Sequence, residues 1–132
     1  MNQHTLSSTG QLLALHCAPQ TTALNDIDVA QLLPLIPGWA LADGKINCSF
    51  GFHNYYQTLA FVNALAWIIH EQDHHPELTI TYKTCTVKFD THSVNSGRGG
   101  LSENDFICAA KTSALYQDVR AKPVAPVAVP QA

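Results

Sequence analysis

The sequence has little charge and no concentrated basic region. Only 13% of its 132 residues are charged, and seven Lys and Arg stand against ten Asp and Glu, for a net charge of −3. No Lys/Arg cluster is present that could neutralise a row of phosphates, so we expect no direct binding to nucleic acid. No apolar run approaches the roughly 18 residues of a membrane span, so we expect no transmembrane helix.

The sequence also lacks a cysteine motif. Cys17, Cys48, Cys85 and Cys108 are widely spaced, and none belongs to a C-x-x-C pair. The first residues, Met1 to His4, do not start a basic segment followed by an apolar stretch, as a secretory signal would. We therefore expect a cytoplasmic protein with four reduced thiols, although an even number of cysteines permits two disulfides.

The composition of the remainder is that of one globular domain with polar ends. Hydrophobic residues make up 46% of the chain, and its length suits a single domain. Residues 1–23 are polar and weakly patterned, which predicts a loosely ordered N-terminal arm. Repeated prolines predict an extended, Pro-rich C-terminal tail over residues 119–132. The folded domain is therefore expected at residues 24–118.

The first half of this domain predicts a short helix and then a hairpin. Asn25 or Asp26 can cap a helix that ends at the prolines following it. Asp43-Gly44 separates strand-like runs at residues 39–42 and 45–52, and Asp-Gly in such a place is a strong hairpin signal.

The second half predicts a long helix, two strand segments and a final helix. Helical periodicity extends from about Asn54 to His74. Its apolar stripe consists of Leu59, Val62, Ala66 and Ile69, widened by Tyr55, Leu65 and Ile68. Residues 78–90 alternate with a one-residue shift, which indicates a bulge or bend between two strand segments. A last helix is predicted over about residues 102–116. The order α-β-β-α-β-β-α predicts an α+β fold with an antiparallel sheet and helices on one face.

The segment from His70 to Pro76 permits an interpretation as a zinc site. Its first five residues match H-E-x-x-H, in which two helical histidines bind zinc and the glutamate acts as base. Pro76 disfavours helical geometry at His75, so the helix should end at or just after His74. No longer metalloprotease signature follows. A zinc hydrolase that uses His70, Glu71 and His74 is therefore the less favoured interpretation.

The same segment also fits a metal-free acid/base site. His74 and His75 lie where helix gives way to extended chain, and His92 ends the later extended stretch. Histidine transfers protons near neutral pH, and Asp73 or Asp105 could orient an imidazole. Asp105 also fits a capping box with the serine three residues before it. A further possibility is that these are surface histidines that share no site.

Taken together, these residues resemble the pterin-4a-carbinolamine dehydratase family. The family pattern has an acidic, Lys or His residue, then His-His-Pro, an aromatic, a later His and a final Asp. This sequence matches it, with the same spacings, at His70, His74-His75-Pro76, Tyr82, Thr91-His92 and Asp105. The resemblance covers about residues 24–115, and Gly97 to Leu115 looks like the bacterial members that accompany phenylalanine hydroxylase.

The resemblance implies a four-stranded antiparallel sheet with three helices packed on one face. It also implies dehydration of 4a-hydroxytetrahydrobiopterin to quinonoid dihydropterin without a metal or organic cofactor. Such an enzyme recycles the pterin of an aromatic amino acid hydroxylase, with phenylalanine hydroxylase as the functional link. Family members form homodimers or homotetramers. The alternative function that the family suggests is a non-enzymatic dimerisation or binding module of the same fold.

The resemblance also implies the site residues. The catalytic residues would be His74, His75 and His92. The residues lining the pterin pocket would be Asp73, Pro76, Thr91, Asp105 and His70. His70 stands where animal members commonly have Glu, which is how the H-E-x-x-H match arises.

Overall fold

A four-stranded antiparallel sheet forms the centre of the fold. A computed structural model describes residues 6–121 of the chain. The strands are β1 (Ala40–Ala42), β2 (Lys45–Gly51), β3 (Glu77–Ile80) and β4 (Thr84–Phe89). They are arranged in the order β1-β2-β4-β3, and every neighbouring pair is antiparallel. The predicted α+β class and antiparallel sheet are confirmed.

Two tight turns set the strand register. Asp43 and Gly44 have positive φ angles of 53° and 75°, which suit the two-residue turn that joins β1 to β2. The predicted hairpin at this dipeptide is confirmed. Between β3 and β4 the chain turns at residues 81–83, and the Thr81 N–H donates to the Thr84 carbonyl at 2.9 Å. The one-residue shift in alternation is therefore a bend between two paired strands.

Within residues 6–121, four α-helices accompany the sheet, and polar side chains cap several of them. They are α1 (Thr9–Ala14), α2 (Asp26–Leu32), α3 (Tyr55–Gln72) and α4 (Glu103–Ala121). Asn25 caps α2 by accepting a hydrogen bond from the Asp28 N–H at 2.8 Å, and Asn54 caps α3 in the same way. Short 3₁₀ turns occupy Leu33–Leu35 and Asn95–Gly97. Among residues 6–121, no helix is both long and apolar enough to cross a membrane.

Helix α1 is an element that the sequence analysis did not predict. It lies within the 1–23 segment that we expected to be loosely ordered. Ser8 forms a capping box with Gln11, and Leu12 is completely buried in the core. A helix of six residues contains too few turns to show a period, so the local signal that could have revealed it is Ser8 followed three residues later by Gln11, just before an apolar run. Residues 6–121 thus contain the three predicted helices, one of them short, and a fourth short helix.

The carboxyl end of α4 also differs from the prediction. The helix continues past the expected end at Tyr116 to Ala121, into the segment assigned to the tail. Residues after 121, which include the tail prolines, lie outside the described part of the chain.

The core forms between the inner face of the sheet and the helices. Strand β4 alternates strictly, and its inward residues Cys85, Val87 and Phe89 are buried. On α3 the buried residues are Thr58, Phe61, Leu65 and Gln72. The centre of this face is displaced by one position from the centre of the predicted stripe, because α3 carries apolar residues nearly all round. Leu65 was predicted at the widened edge of the stripe and is buried. Ala66, which we assigned to the stripe, is exposed, as is its neighbour Trp67.

Candidate active site

A pocket of about 550 Å³ opens where three segments of the domain meet. Residues 71–75 span the end of α3, residues 90–93 follow β4, and Asn104 lies in the first turn of α4. A fourth segment, residues 17–20 from the connection between α1 and α2, completes the lining. The volume lies within the range usual for small-molecule sites.

The geometry of Asp73 determines how the histidines enter this pocket. Helix α3 ends at Gln72, and Asp73 adopts a left-handed conformation with φ 49° and ψ 43°. The chain therefore leaves the helix before His74, which is buried, while His70 remains exposed on the last helical turn. His70 and His74 do not share a helix face, so the geometry on which the zinc interpretation depends is absent. Among residues 6–121, no three His, Cys, Asp or Glu side chains are grouped to hold a metal ion.

His74 is held by a buried carboxylate. Its Nε2 lies 2.6 Å from Oδ1 of Asp105, and its ring stacks on Phe89 with centroids 5.8 Å apart. An ionised carboxylate can only accept, so Nε2 carries the hydrogen. Nδ1 is then the ring nitrogen left for a ligand in the pocket.

Asp105 is itself fixed by the start of α4. Its Oδ2 accepts hydrogen bonds from the Thr91 hydroxyl at 2.8 Å and from the Ser102 N–H at 2.9 Å. The Ser102 hydroxyl lies 2.7 Å from that of Thr91 and also accepts from the Asn104 N–H at 3.3 Å. Asp105 can therefore cap α4 and orient His74 at the same time, because one carboxylate oxygen caps the helix while the other binds His74.

The surroundings of His74 favour its protonated form. Burial by itself would lower the pKa of His74. The hydrogen bond to Asp105 and the negative charge of that carboxylate act in the opposite direction and prevail. The pKa of His74 is therefore raised above its ordinary value. A position just beyond the carboxyl end of α3 also suits a cation.

His75 and His92 border the same pocket but are much more open to solvent. The side chain of His92 is 82% exposed, and its Nε2 lies 3.3 Å from Oδ1 of Asp90. His75 is also exposed. The pocket therefore combines one buried, carboxylate-bound imidazole with two accessible ones.

The other predicted site residues take different places. Asp73 and Thr91 are in the lining, and Asp105 lies completely buried behind His74. His70 and Pro76 are not part of the lining. Tyr82, the aromatic of the family pattern, is exposed in the β3–β4 turn and stacks on Tyr55 with centroids 6.2 Å apart.

Sequence reasoning missed one wall of the pocket. The Cys17 N–H donates to Oε1 of Gln72 at 2.8 Å. The side-chain amide of Asn104 donates to the Ala18 carbonyl at 2.8 Å and accepts from the Ala18 N–H at 3.1 Å. The first bond joins residues that are 55 positions apart in the sequence, and the other two join residues that are 86 positions apart. No local sequence pattern could therefore have predicted them. Asp90, beside His92, was missed as well, since it reads as an ordinary residue at a strand end.

The fold and the pocket define an α+β protein in which histidine and carboxylate side chains converge on one small-molecule site. Residues 22–115 match the family model described as pterin 4 alpha carbinolamine dehydratase. The chain therefore belongs to the pterin-4a-carbinolamine dehydratase family.

Individual relatives agree with this membership. A Bdellovibrio bacteriovorus protein, provisionally named a pterin-4-alpha-carbinolamine dehydratase, is 54% identical over 110 residues, covering 83% of this chain and 92% of the relative. A Stenotrophomonas maltophilia protein of the same provisional name is 50% identical over 113 residues, covering 82% and 94%. A Brucella melitensis crystal structure, described as a transcriptional coactivator/pterin dehydratase, superimposes with a TM-score of 0.65 at 28% identity. It covers 72% of this chain and 99% of that one.

Proposed function

We propose that this protein dehydrates a 4a-hydroxytetrahydropterin to the quinonoid dihydropterin in the pocket described above. Family membership supplies the class of reaction. The observation that carries the proposal is the buried His74–Asp105 pair, with a bond of 2.6 Å, in a pocket that two further histidines border. Loss of water across the C4a–N5 bond needs one group that donates a proton and one that accepts a proton.

In the proposed mechanism, His74 is the general acid. Its raised pKa favours the protonated form, and its Nδ1–H donates to the 4a-hydroxyl. The C4a–O bond breaks and water leaves, while the N5–H bond supplies the electrons of the new C4a=N5 double bond. The negative charge of Asp105 keeps the imidazolium stable and correctly oriented until it donates.

The N5 proton is proposed to pass to one of the two exposed histidines, His75 or His92. Both border the pocket, and solvent access lets either release the proton to water. The Asp90 carboxylate, 3.3 Å from His92, can hold that imidazole in one orientation. His74→Ala should lower turnover by about 10²–10⁴-fold, and so should the alanine variant of whichever of His75 and His92 accepts the N5 proton. A histidine whose removal leaves turnover intact is excluded from the mechanism.

The proposed binding roles follow the observed positions. Asp73 lies in the lining and can accept N–H groups of the pterin ring. Thr91 and Asp105 act behind the pocket, since their polar atoms are engaged with each other and with His74. His70 and Pro76, outside the lining, are proposed to have no direct contact with substrate.

The biological setting is proposed from the same family membership. We propose that the protein recycles the pterin of an aromatic amino acid hydroxylase, that phenylalanine hydroxylase is the functional link, and that both work in the cytoplasm. The chemistry requires only proton transfers, so no metal or organic cofactor enters the scheme. We also propose a homodimer or homotetramer, for which the exposed aromatic side chains of α3 offer contact area.

The direct test is dehydration of freshly generated 4a-hydroxytetrahydrobiopterin by the purified protein, with and without a strong chelator. Equal turnover in both conditions is expected. Turnover that the chelator abolishes would contradict the metal-free scheme. No turnover in either condition would favour a non-enzymatic binding module, a role consistent with the coactivator description of the Brucella melitensis relative.

A further inference from the structure

Two of the four cysteines meet beside the pocket. Sγ of Cys17 lies 3.4 Å from Sγ of Cys108, although the two residues are 91 positions apart. Cys17 belongs to the 17–20 segment that lines the pocket, and Cys108 lies on α4, one turn after Asn104. The sequence predicts four reduced thiols and permits two disulfides without indicating which cysteines would meet, so this particular pairing is a product of the fold.

The two thiols differ in access and in proton affinity. Cys17 is partly exposed at the pocket, whereas Cys108 is buried. The hydrogen bond between the two thiols lowers the pKa of Cys17, and the nearby charge of His74 acts in the same direction against the effect of burial. The same hydrogen bond, followed by burial, raises the pKa of Cys108. Cys17 is thus the better nucleophile, and Cys108 is the thiol positioned next to it.

We propose that Cys17 and Cys108 are a peroxide-sensitive thiol pair that closes into a disulfide and thereby displaces one wall of the pterin pocket. The Cys17 thiolate attacks a peroxide oxygen, which gives a sulfenic acid and releases hydroxide. The Cys108 sulfur then attacks Sγ of Cys17, its proton leaves with the sulfenic hydroxyl as water, and the S–S bond forms. Two thiols are oxidised and one hydrogen peroxide is reduced to two waters.

Formation of the Cys17–Cys108 disulfide requires the two sulfur atoms to move closer together. A disulfide bond is about 2.05 Å long, so the two sulfur atoms must approach by roughly 1.3 Å. Cys108 is held within α4, where the helix and the packed core resist movement. Cys17 belongs to an irregular segment attached by the side chains of Gln72 and Asn104, so we expect the displacement there. Residues 17–20 would shift toward α4.

The chemical part of the proposal can be tested without any enzyme assay. Full-length protein is treated with hydrogen peroxide, digested, and analysed by mass spectrometry with and without dithiothreitol. A cross-linked peptide pair joining Cys17 to Cys108, two hydrogens lighter and lost on reduction, is expected. Cys48 is the matched control, since it is also partly exposed but burial raises its pKa. Oxidation of Cys48 before Cys17, or of Cys17 to a sulfinic acid without a cross-link, would overturn the proposal.

The effect on the pocket rests on the proposed dehydratase function and is measured separately. The oxidised wild-type protein should lose roughly tenfold in kcat/KM, mostly through KM, because displacements near 1 Å can cost up to about 10²-fold. Dithiothreitol should restore the kcat/KM of the oxidised protein, and the kcat/KM of Cys17→Ser should not change on treatment with peroxide. A disulfide that forms without changing KM would overturn the wall displacement. A protein that never turns over the pterin but still cross-links would count against the dehydratase function alone.

Discussion

At the scale of residues, the Asp105 carboxylate links the helix start to the proposed chemistry. One oxygen receives the Ser102 N–H and the Thr91 hydroxyl, and the other receives His74. The side chain is completely buried, so its charge acts on the imidazole with little competition from water. A residue that first reads as a helix cap therefore also controls the protonation of His74.

Replacing Asp105 by Asn tests this control. The variant keeps the shape but removes the charge that raises the pKa of His74, so the fraction of protonated His74 at neutral pH should fall. We expect kcat to drop by about 10²-fold or more and the alkaline limb of the pH–rate profile to move to lower pH. Steady-state rates across the pH range measure both effects. His70→Ala, outside the pocket lining, is the control and should keep the wild-type profile. An unchanged alkaline limb in Asp105→Asn would contradict His74 as the acid.

The same pair should make stability depend on pH. A histidine whose pKa is higher in the folded than in the unfolded state stabilises the fold fully below its ordinary pKa, about 6.5. That stabilisation is lost as the pH rises through the raised pKa of folded His74. Urea unfolding of wild type and His74→Gln at about pH 6 and about pH 9 measures it. The free-energy difference between the two proteins should be larger at the lower pH, and an equal difference at both would refute the raised pKa.

At the scale of elements, the position of one pocket wall depends on a clamp in which Gln72 of α3 and Asn104 of α4 hold the N-terminal segment. The Asn104 amide forms two hydrogen bonds with the backbone of Ala18, and Gln72 receives the Cys17 N–H. Both amides are nearly buried, so their partners would lack water if the amides were removed. The clamp thus determines where residues 17–20 stand relative to the histidines.

Asn104→Ala should release this clamp. It leaves the Ala18 N–H and carbonyl without their partner, which should cost about 1–3 kcal/mol of unfolding free energy. KM for the pterin should rise because one wall of the pocket loses its position, while kcat should change less because His74 stays bound to Asp105. Denaturant unfolding and steady-state kinetics measure the two effects. Asn63→Ala, an exposed position on α3, is the matched control and should change neither quantity.

At the scale of the whole molecule, the folded unit extends beyond the family match. The match begins at residue 22, yet α1 contributes the completely buried Leu12 to the core, and residues 17–20 line the pocket. Lys111 on α4 also donates to the Leu13 carbonyl at 2.8 Å. The N-terminal segment is therefore joined to both the core and the site.

Deleting residues 1–23 should consequently damage the protein although the family-matched region is nearly intact. We expect a lower unfolding midpoint and a reduced kcat/KM. In the full chain, Leu12→Ala should cost about 2–5 kcal/mol, as buried leucines do, whereas the exposed neighbour Leu13→Ala should cost much less. Thermal and denaturant unfolding measure the costs. A truncated protein with wild-type stability and KM would show that the segment is dispensable.

Local signals in the sequence were sufficient for the sheet, the three longer helices and the histidine cluster. Asp43-Gly44, the capping Asn25 and the strand alternation each act over a few residues, so the chain displays them directly. The burial face of α3 was placed one position off, because an apolar surface on nearly all sides gives no unique stripe. The order of the elements, and hence the α+β class, followed from these local features together with the resemblance.

What could be found only in the folded protein depends on contacts between distant parts of the chain. The binding of His74 to Asp105 spans 31 positions, and the contact of Cys17 with Cys108 spans 91. Neither contact can be detected from hydrophobic periodicity in the sequence, because periodicity shows which residues share a face of one element and not which residues meet across a core. The clamp on Ala18 and the paired thiols therefore appear only when α4 packs against the N-terminal segment. The histidines in the sequence indicate the chemistry of the proposed site, whereas the packing of α4 against the N-terminal segment determines the shape of the pocket.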